Sequence, residues 1–339
     1  MKIIAKSFPN REQIQGRIDS GAFDGIEIFT FEDILENPGK YRDLAKFARD
    51  HFDPVNFETF YAVTVDGEKK AEGLIDERPE VRKRSRQLLE KTIELNEGKG
   101  NVNTHLVGKH AIINPKILNR PTVSPLEQLT ETGEYLRQFA SDITLENVYT
   151  VDPYTVGKTG GNVPSMYNIG CDMPDFKFMY ENFGVPITLD TAHLAISLAE
   201  YARYIKNGHI KVNGDKVTAE FLKHQHELGE RVIRDGLTNV LIEQIGLLPQ
   251  IKNLHFINAK LDENDDPSDG YAELTAEDGR LIDLEKVLSY LKSRQDVTQI
   301  LPEVVDGLYP NPDYVKVPHM VRMAQELRNL VGYNRACFI

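Results

Sequence analysis

Short apolar, β-branched runs alternate along almost the whole chain with longer segments whose apolar residues recur every three or four positions. Eight runs read as strands: KIIAKSF, DGIEIFT, FYAVTV, NVNTHLVG, DITLENVY, VPITLDTA, IKNLHFINA and TQILPEVV. The segments YRDLAKFARDHF, VRKRSRQLLEKTIEL, SPLEQLTETGEYLRQFAS, HELGERVIRDGLTNVLIEQI and LIDLEKVLSYLKS carry helical spacing. The fourth of these is long enough for two helices or one kinked helix. In the third, Ser124 reads as an N-cap with Pro125 at the first helical position. Regular alternation of strand and helix points to a parallel sheet. Eight repeats point to a closed (β/α)8 TIM barrel rather than an open doubly wound sheet. The Gly-rich dinucleotide fingerprint is also missing after the first strand.

The pattern runs without a linker or low-complexity tract, so residues 1–339 read as one barrel domain. Two segments exceed a minimal barrel and read as insertions near the active-site face: residues 150–184 after the fifth strand and 197–227 after the sixth. Within the second, KNGHIKVNGDK reads as a small hairpin.

Charge and cysteine content narrow the partners. The net charge of −12 repels phosphate backbones on average, which argues against a nucleic-acid partner. Cys171 and Cys337 make no CxxC pair and no disulfide framework, as suits a reducing compartment. The first residues, MKIIAKSFPN, lack the apolar core of a signal peptide, and no apolar run is long enough for a membrane span. The expectation is a cytoplasmic protein with no membrane partner; a homo-oligomer stays open.

Candidate chemistry lies at the strand ends. In a barrel of this kind the residues at the C-terminal ends of the strands face one shared mouth. Those ends read Glu27 in GIEIF, His105 in NTHL, Glu146 in TLEN, Asp190 in TLDTAH, His255 in NLHF and Glu303 in LPEV. From His105 onward they fall on consecutive strands at matching positions. Each has an ordinary explanation taken singly; Asp190 could cap a helix starting at Thr191, for instance. Three carboxylates and an imidazole converging on one space require a cation between them. Glu146, Asp190, His255 and Glu303 form a hard, oxygen-rich set suited to one divalent ion, Mn²⁺, Mg²⁺, Co²⁺ or Zn²⁺. HQH at 224–226 reads as surface, because i and i+2 point to different helix faces. GKTGG at 157–161 lacks the order of a phosphate loop, and DENDDPSD at 262–269 lacks the EF-hand pattern.

With these residues in view, the chain resembles the xylose-isomerase-like superfamily of TIM barrels. That superfamily includes sugar phosphate isomerases and epimerases, inosose dehydratases, hydroxypyruvate isomerase and the AP-site endonucleases of family 2. The resemblance spans DGIEIF to ILPEV, with ITLEN, LDTAHL and LHFIN its most specific pieces. It implies that Glu146, Asp190, His255 and Glu303 hold one divalent metal and that His193 contacts substrate. The endonuclease pattern departs from this chain in two places. It asks for histidines at the ends of strands three and four, whereas FYAVTVDG has none; and it asks for Asp-x-His after strand seven, whereas the sequence reads Asp269-Gly-Tyr271. Asn258 stands where an acid is frequent.

The expected activity is therefore that of a metal-dependent sugar isomerase or epimerase, or a dehydratase (lyase) of the same superfamily. Its substrate is a sugar or related polyhydroxy carbonyl compound, and an α-proton moves through a metal-stabilised enediolate. Glu146 and Glu303 are the expected proton carriers. His193, His105, Glu27, Lys109, His110, Asn258 and Asp269 are the expected substrate contacts. The rival expectations are a metal-dependent phosphodiesterase resembling the AP-endonucleases and a non-catalytic metal-binding barrel.

Overall fold

The structure, a computed structural model, describes residues 1–59, 62–71, 73–76, 78–111, 124–150, 166–212, 215–217, 222–261, 267–268, 281–302 and 317–331. Eight parallel strands close into a barrel: β1 (Lys2–Ser7), β2 (Gly25–Thr30), β3 (Val55–Thr59), β4 (Val102–His105), β5 (Ile143–Glu146), β6 (Ile187–Asp190), β7 (Ile251–His255) and β8 (Gln299–Leu301). They neighbour one another in sequence order. The ring shuts between β1 and β8, where Lys2 pairs with Gln299 and Ile3 with Ile300.

Strand three is not the FYAVTV run. It is VNFET, and Ala62–Val65 of FYAVTV instead pairs antiparallel with Glu68–Ala71 in a hairpin beyond the strand's end. The apolar, β-branched content of AVTV suits either kind of strand, which is why composition alone misplaces it.

Alternation along each strand divides the barrel into two environments. Residues such as Ile26, Ile28, Phe57, Leu145, Leu189 and Leu254 pack outward against the helices in the main apolar core. The interior is polar. Asn56, Asn101, Asn103, Thr144, Thr188, Asn253 and Gln299 are linked there by side-chain hydrogen bonds, including Thr188 Oγ1 to Thr144 Oγ1 at 2.8 Å and Asn253 Nδ2 to both threonines at 3.4 Å. Each buried amide needs partners, and this ladder supplies them from neighbouring strands. It forms a floor beneath the strand ends.

Helices among the described residues alternate with the strands: α1 (Arg11–Ser20), α2 (Pro38–Arg49), α3 (Pro79–Asn96), α4 (Leu126–Arg137), α5 (Met173–Phe183), α6 (Thr191–Asn207), α7 (Lys223–Asp235), α8 (Leu237–Gly246), α9 (Leu284–Lys292) and α10 (Val317–Val331). The long fourth helical segment breaks at Gly236, whose φ of +85° only glycine adopts without strain, so α7 and α8 are separate. Ser124 does not cap α4. Pro125 takes that position, and the Ser124 hydroxyl bonds Asp175 while accepting from the Gly170 N–H at 2.7 Å. Of the segments read as insertions, 173–183 is the barrel helix α5, and 197–207 belongs to α6. The extra chain after strand six includes a small hairpin, Ile210–Val212 with Asp215–Val217. After strand five, Met166–Ile169 pairs with Gly108–Ala111, which follows strand four. No helix among the described residues is long and apolar enough to cross a membrane.

Gly100 marks a tight approach below the barrel. A Cβ there would lie 2.1 Å from the Val55 carbonyl oxygen, a backbone atom that cannot swing aside. Gly100→Ala is expected to destabilise the fold by about 1–3 kcal/mol. Chemical denaturation measures this, and an unchanged midpoint would contradict it.

Candidate metal and proton-transfer site

At the C-terminal end of the barrel the polar alternation continues upward, but amides and hydroxyls give way to ionisable groups. Lys6 (β1), Glu27 (β2), Glu58 (β3), His105 (β4), Glu146 (β5), Asp190 (β6) and His255 (β7) occupy successive strand ends, all at most 3% exposed. Register aligns them in pairs: Lys6 beside Glu27, His105 beside Glu146 and Asp190 beside His255. The strand-end residues expected from sequence are therefore brought together, apart from Glu303, which lies outside the described residues.

Glu146 sits at the centre. Its Oε1 accepts from His255 Nδ1 at 3.0 Å, and its Oε2 takes a short hydrogen bond from Asn103 Nδ2 and lies 3.8 Å from His105 Nε2. Asn103 also reaches Glu58 Oε2 at 3.4 Å and accepts from Thr144 Oγ1, so the polar floor aims both carboxylates. His255 spans the mouth, with its Nε2 3.1 Å from Glu27 Oε1.

Asp190 has two roles at once. Its Oδ1 accepts the His193 N–H at 2.7 Å and so caps α6, while Oδ2 lies 3.7 Å from His193 Nδ1. The cap that could have explained Asp190 away is real, and it fixes the carboxylate at the site. His193, in the first turn of α6, places Nδ1 2.8 Å from the Asn147 carbonyl oxygen. A carbonyl only accepts, so Nδ1 carries a proton, and in the neutral ring Nε2 carries the lone pair. The ring stands edge-on to Tyr149 with centroids 5.0 Å apart.

Sequence reading missed two members, Glu58 and Lys6. Lys6 Nζ donates to Glu27 Oε1 at 2.8 Å and makes a short bond to Glu58 Oε2, and it lies 4.3 Å from the centroid of the Phe29 ring. Glu58 was lost with the misplacement of strand three. The signal that finds it is the polar alternation of VNFET, which matches VNTH, ITLE and ITLD elsewhere in the ring.

One expected contact is engaged elsewhere. Asn258 is fully buried and spends its amide on Ile282, donating to the carbonyl at 3.0 Å and accepting from the N–H at 3.3 Å. That geometry ties together two segments of loop. Lys109 and His110 lie on the strand Gly108–Ala111, but their side chains fall outside the described parts, as does Asp269 altogether. In HQH it is the middle residue that is held: Gln225 donates to Asp172 Oδ2 at 3.0 Å, while His226 packs edge-on to Tyr204.

Three trios bring ligand atoms within 4.8 Å of one another: Glu146, Asp190 and His193; Glu58, His105 and Glu146; and Glu27, Glu58 and His255. Among the described residues, four buried carboxylates share this mouth with one lysine. Carboxylates so close repel unless cations or protons compensate them, so the donor set fits a divalent metal. Glu27 shows how strongly the local charges act. Burial alone would raise its carboxyl, but Lys6 and His255 outweigh that and hold it at about 2 against an ordinary 4.5. Its folded value is depressed, so its contribution to stability is complete above pH 4.5 and is lost as pH falls through about 2. A carboxyl-region NMR titration of metal-free protein, with Glu27→Gln for assignment, is expected to show one glutamate still ionised at pH 3; titration of that signal near 4.5 would contradict it.

No protein-family model and no curated protein sequence matches the chain. Among solved structures, it is similar to the TTHB071 protein from Thermus thermophilus, in crystals soaked with ZnCl2, at 13% identity and a TM-score of 0.52, covering 99% of this chain and 100% of that one. It is also similar to a D-psicose 3-epimerase crystallised in the presence of D-fructose, at 13% identity and a TM-score of 0.46, covering 99% of each chain. The likeness to TTHB071 is one of fold. Together with the closed ring of eight parallel strands, it makes this chain a (β/α)8 barrel.

Proposed function

We propose that the chain is a divalent-metal-dependent isomerase or epimerase of the xylose-isomerase-like superfamily, acting in the cytoplasm on a small sugar or related polyhydroxy carbonyl compound. One observation carries this reading. Among the described residues, four carboxylates and three histidines converge at the mouth of the barrel, with one lysine among them to offset the charge. Such a constellation suits proton transfer next to a metal.

In this reading Glu146, Asp190 and His255, with Glu303, hold one ion of Mn²⁺, Mg²⁺, Co²⁺ or Zn²⁺. Such an ion, when bound, would supply Lewis acidity toward the substrate carbonyl and positive charge to offset the loss of the α-proton. Glu146 and Glu303 exchange that proton between the two faces of the substrate. Asn103 fixes the Glu146 carboxylate, limiting its rotation during transfer. His193 presents Nε2 as an acceptor for a substrate hydroxyl, with its ring held by the Asn147 carbonyl. The test is incubation with a panel of ketoses and keto acids in deuterated water. Deuterium is expected to enter the position α to the carbonyl of at least one substrate, and metal removal by a chelator stops it. Exchange that persists unchanged after complete metal removal would overturn the mechanism.

A second reading has its own support. Glu58 gives strand three a ligand-capable group that sequence reading denied it, and Glu58, His105 and Glu146 form a trio. That favours a hydrolase with more than one metal, acting on phosphodiesters. Cleavage of an abasic-site duplex, with two or more ions bound per chain, would establish it in place of the first.

A further inference from the structure

Lys6 places an ammonium group where the surrounding donors would otherwise suit a second metal ion. Its Nζ bonds Glu27 Oε1 at 2.8 Å and also Glu58 Oε2, in a pocket where Lys6 is only 1% exposed. Glu27, Glu58 and His255 have ligand atoms within 4.8 Å of one another, and Glu58 also belongs to the trio with His105 and Glu146. A lysine buried this deeply is rarely tolerated unless its charge is paired. Here one charge serves two carboxylates on neighbouring strands.

We propose that Lys6 is a resident cation that replaces a second metal ion, and that it thereby restricts the barrel mouth to one metal. The ammonium fixes Glu27 and Glu58 by hydrogen bonds along the strand-one side of the mouth. Glu146, Asp190 and the histidines are left to share the exchangeable ion. A metal at either Glu58 trio would have to share a carboxylate that Lys6 already holds, and would stand close to a fixed positive charge. Both effects disfavour it. The consequence concerns specificity: a mouth with one metal and one ammonium presents a single Lewis-acidic centre, whereas two ions would present the paired clamp of a phosphodiesterase. The inference deepens the isomerase reading and chooses between it and the multi-metal alternative.

The test is the metal content of purified protein, equilibrated with Mn²⁺ or Zn²⁺ and washed, for wild type and three variants. Lys6→Met is expected to bind about one more ion per chain than wild type, because removing the ammonium releases Glu58 to join His105 and a Glu146 carboxylate that can bridge two ions. Lys6→Met/Glu58→Gln is expected to lose that additional ion. Glu58→Gln alone is expected to match the wild type, because Glu58 holds Lys6 rather than metal. Circular dichroism before and after metal addition shows whether Lys6→Met folds. A variant that folds only with metal, with one more ion bound, supports the proposal. Equal content in wild type and Lys6→Met overturns it, as does loss of an ion in Glu58→Gln; the latter decides the matter if Lys6→Met fails to fold. The outcomes separate from the isomerase reading: wild type without metal sinks that reading, while a gain of one ion in Lys6→Met still supports the role of Lys6.

Discussion

Glu146→Gln is expected to lose the bound metal and to slow α-proton exchange about a thousandfold or more, within or beyond the usual range for removing a general acid–base group. The size follows from position. Glu146 is the residue on which the site converges: it accepts from His255 at 3.0 Å, is fixed by Asn103, and lies within 4 Å of both His105 and His193. The glutamine keeps the shape but removes the charge that offsets a cation. It also presents an amide N–H₂ that cannot accept from His255 or Asn103. Elemental analysis and deuterium exchange measure the two effects separately. Metal retained with exchange lost would leave Glu146 a proton carrier but not a ligand. Both retained would remove it from the mechanism.

Lys6→Met in metal-free buffer is expected to lower stability by about 3–5 kcal/mol, the cost of leaving a buried charge without its partner. Two carboxylates, Glu27 and Glu58, lose their shared cation, and neither can reach solvent, being 1% and 3% exposed. Methionine fills the space of the lysine stem against Phe29, so the loss reports charge rather than a cavity. Protonation of the carboxylates relieves their repulsion, so the deficit should shrink as pH falls. Chemical denaturation at neutral and acidic pH measures this. A deficit that does not depend on pH would assign Lys6 a packing role.

What the chain reveals before folding depends on how each signal is written. Period-two patterning with helical segments between gave eight strands and a closed barrel, and the strand-end residues His105, Glu146, Asp190 and His255 do converge. The misplaced third strand has a physical cause: apolar content dominates the strand signal. A strand lining a polar barrel interior is apolar on one side only, so VNFET is outscored by the more β-branched FYAVTV although only the former joins the ring. Glu58 went with it. Lys6 lies in plain view in KIIAKS, but a lone lysine in an apolar run reads as an edge residue until its partners on β2 and β3 are known. Asn258 illustrates the opposite error: its place after strand seven suggested substrate, while its amide is occupied by the Ile282 backbone. Ser124, beside a proline at a helix start, looked like a cap, and a buried aspartate fifty-one residues away took its hydroxyl. Local patterns identify elements; contacts between distant strands and helices decide what each polar side chain is for.

The proposed function depends on the carboxylates of the barrel mouth surrounding a metal. The most direct measurement is elemental analysis of wild-type protein purified without chelator and re-equilibrated with a mixture of divalent ions. About one divalent ion per chain is expected, bound by the oxygen-rich set around Glu146 and Asp190. Protein that takes up no ion, or that stably binds two or more, would contradict it.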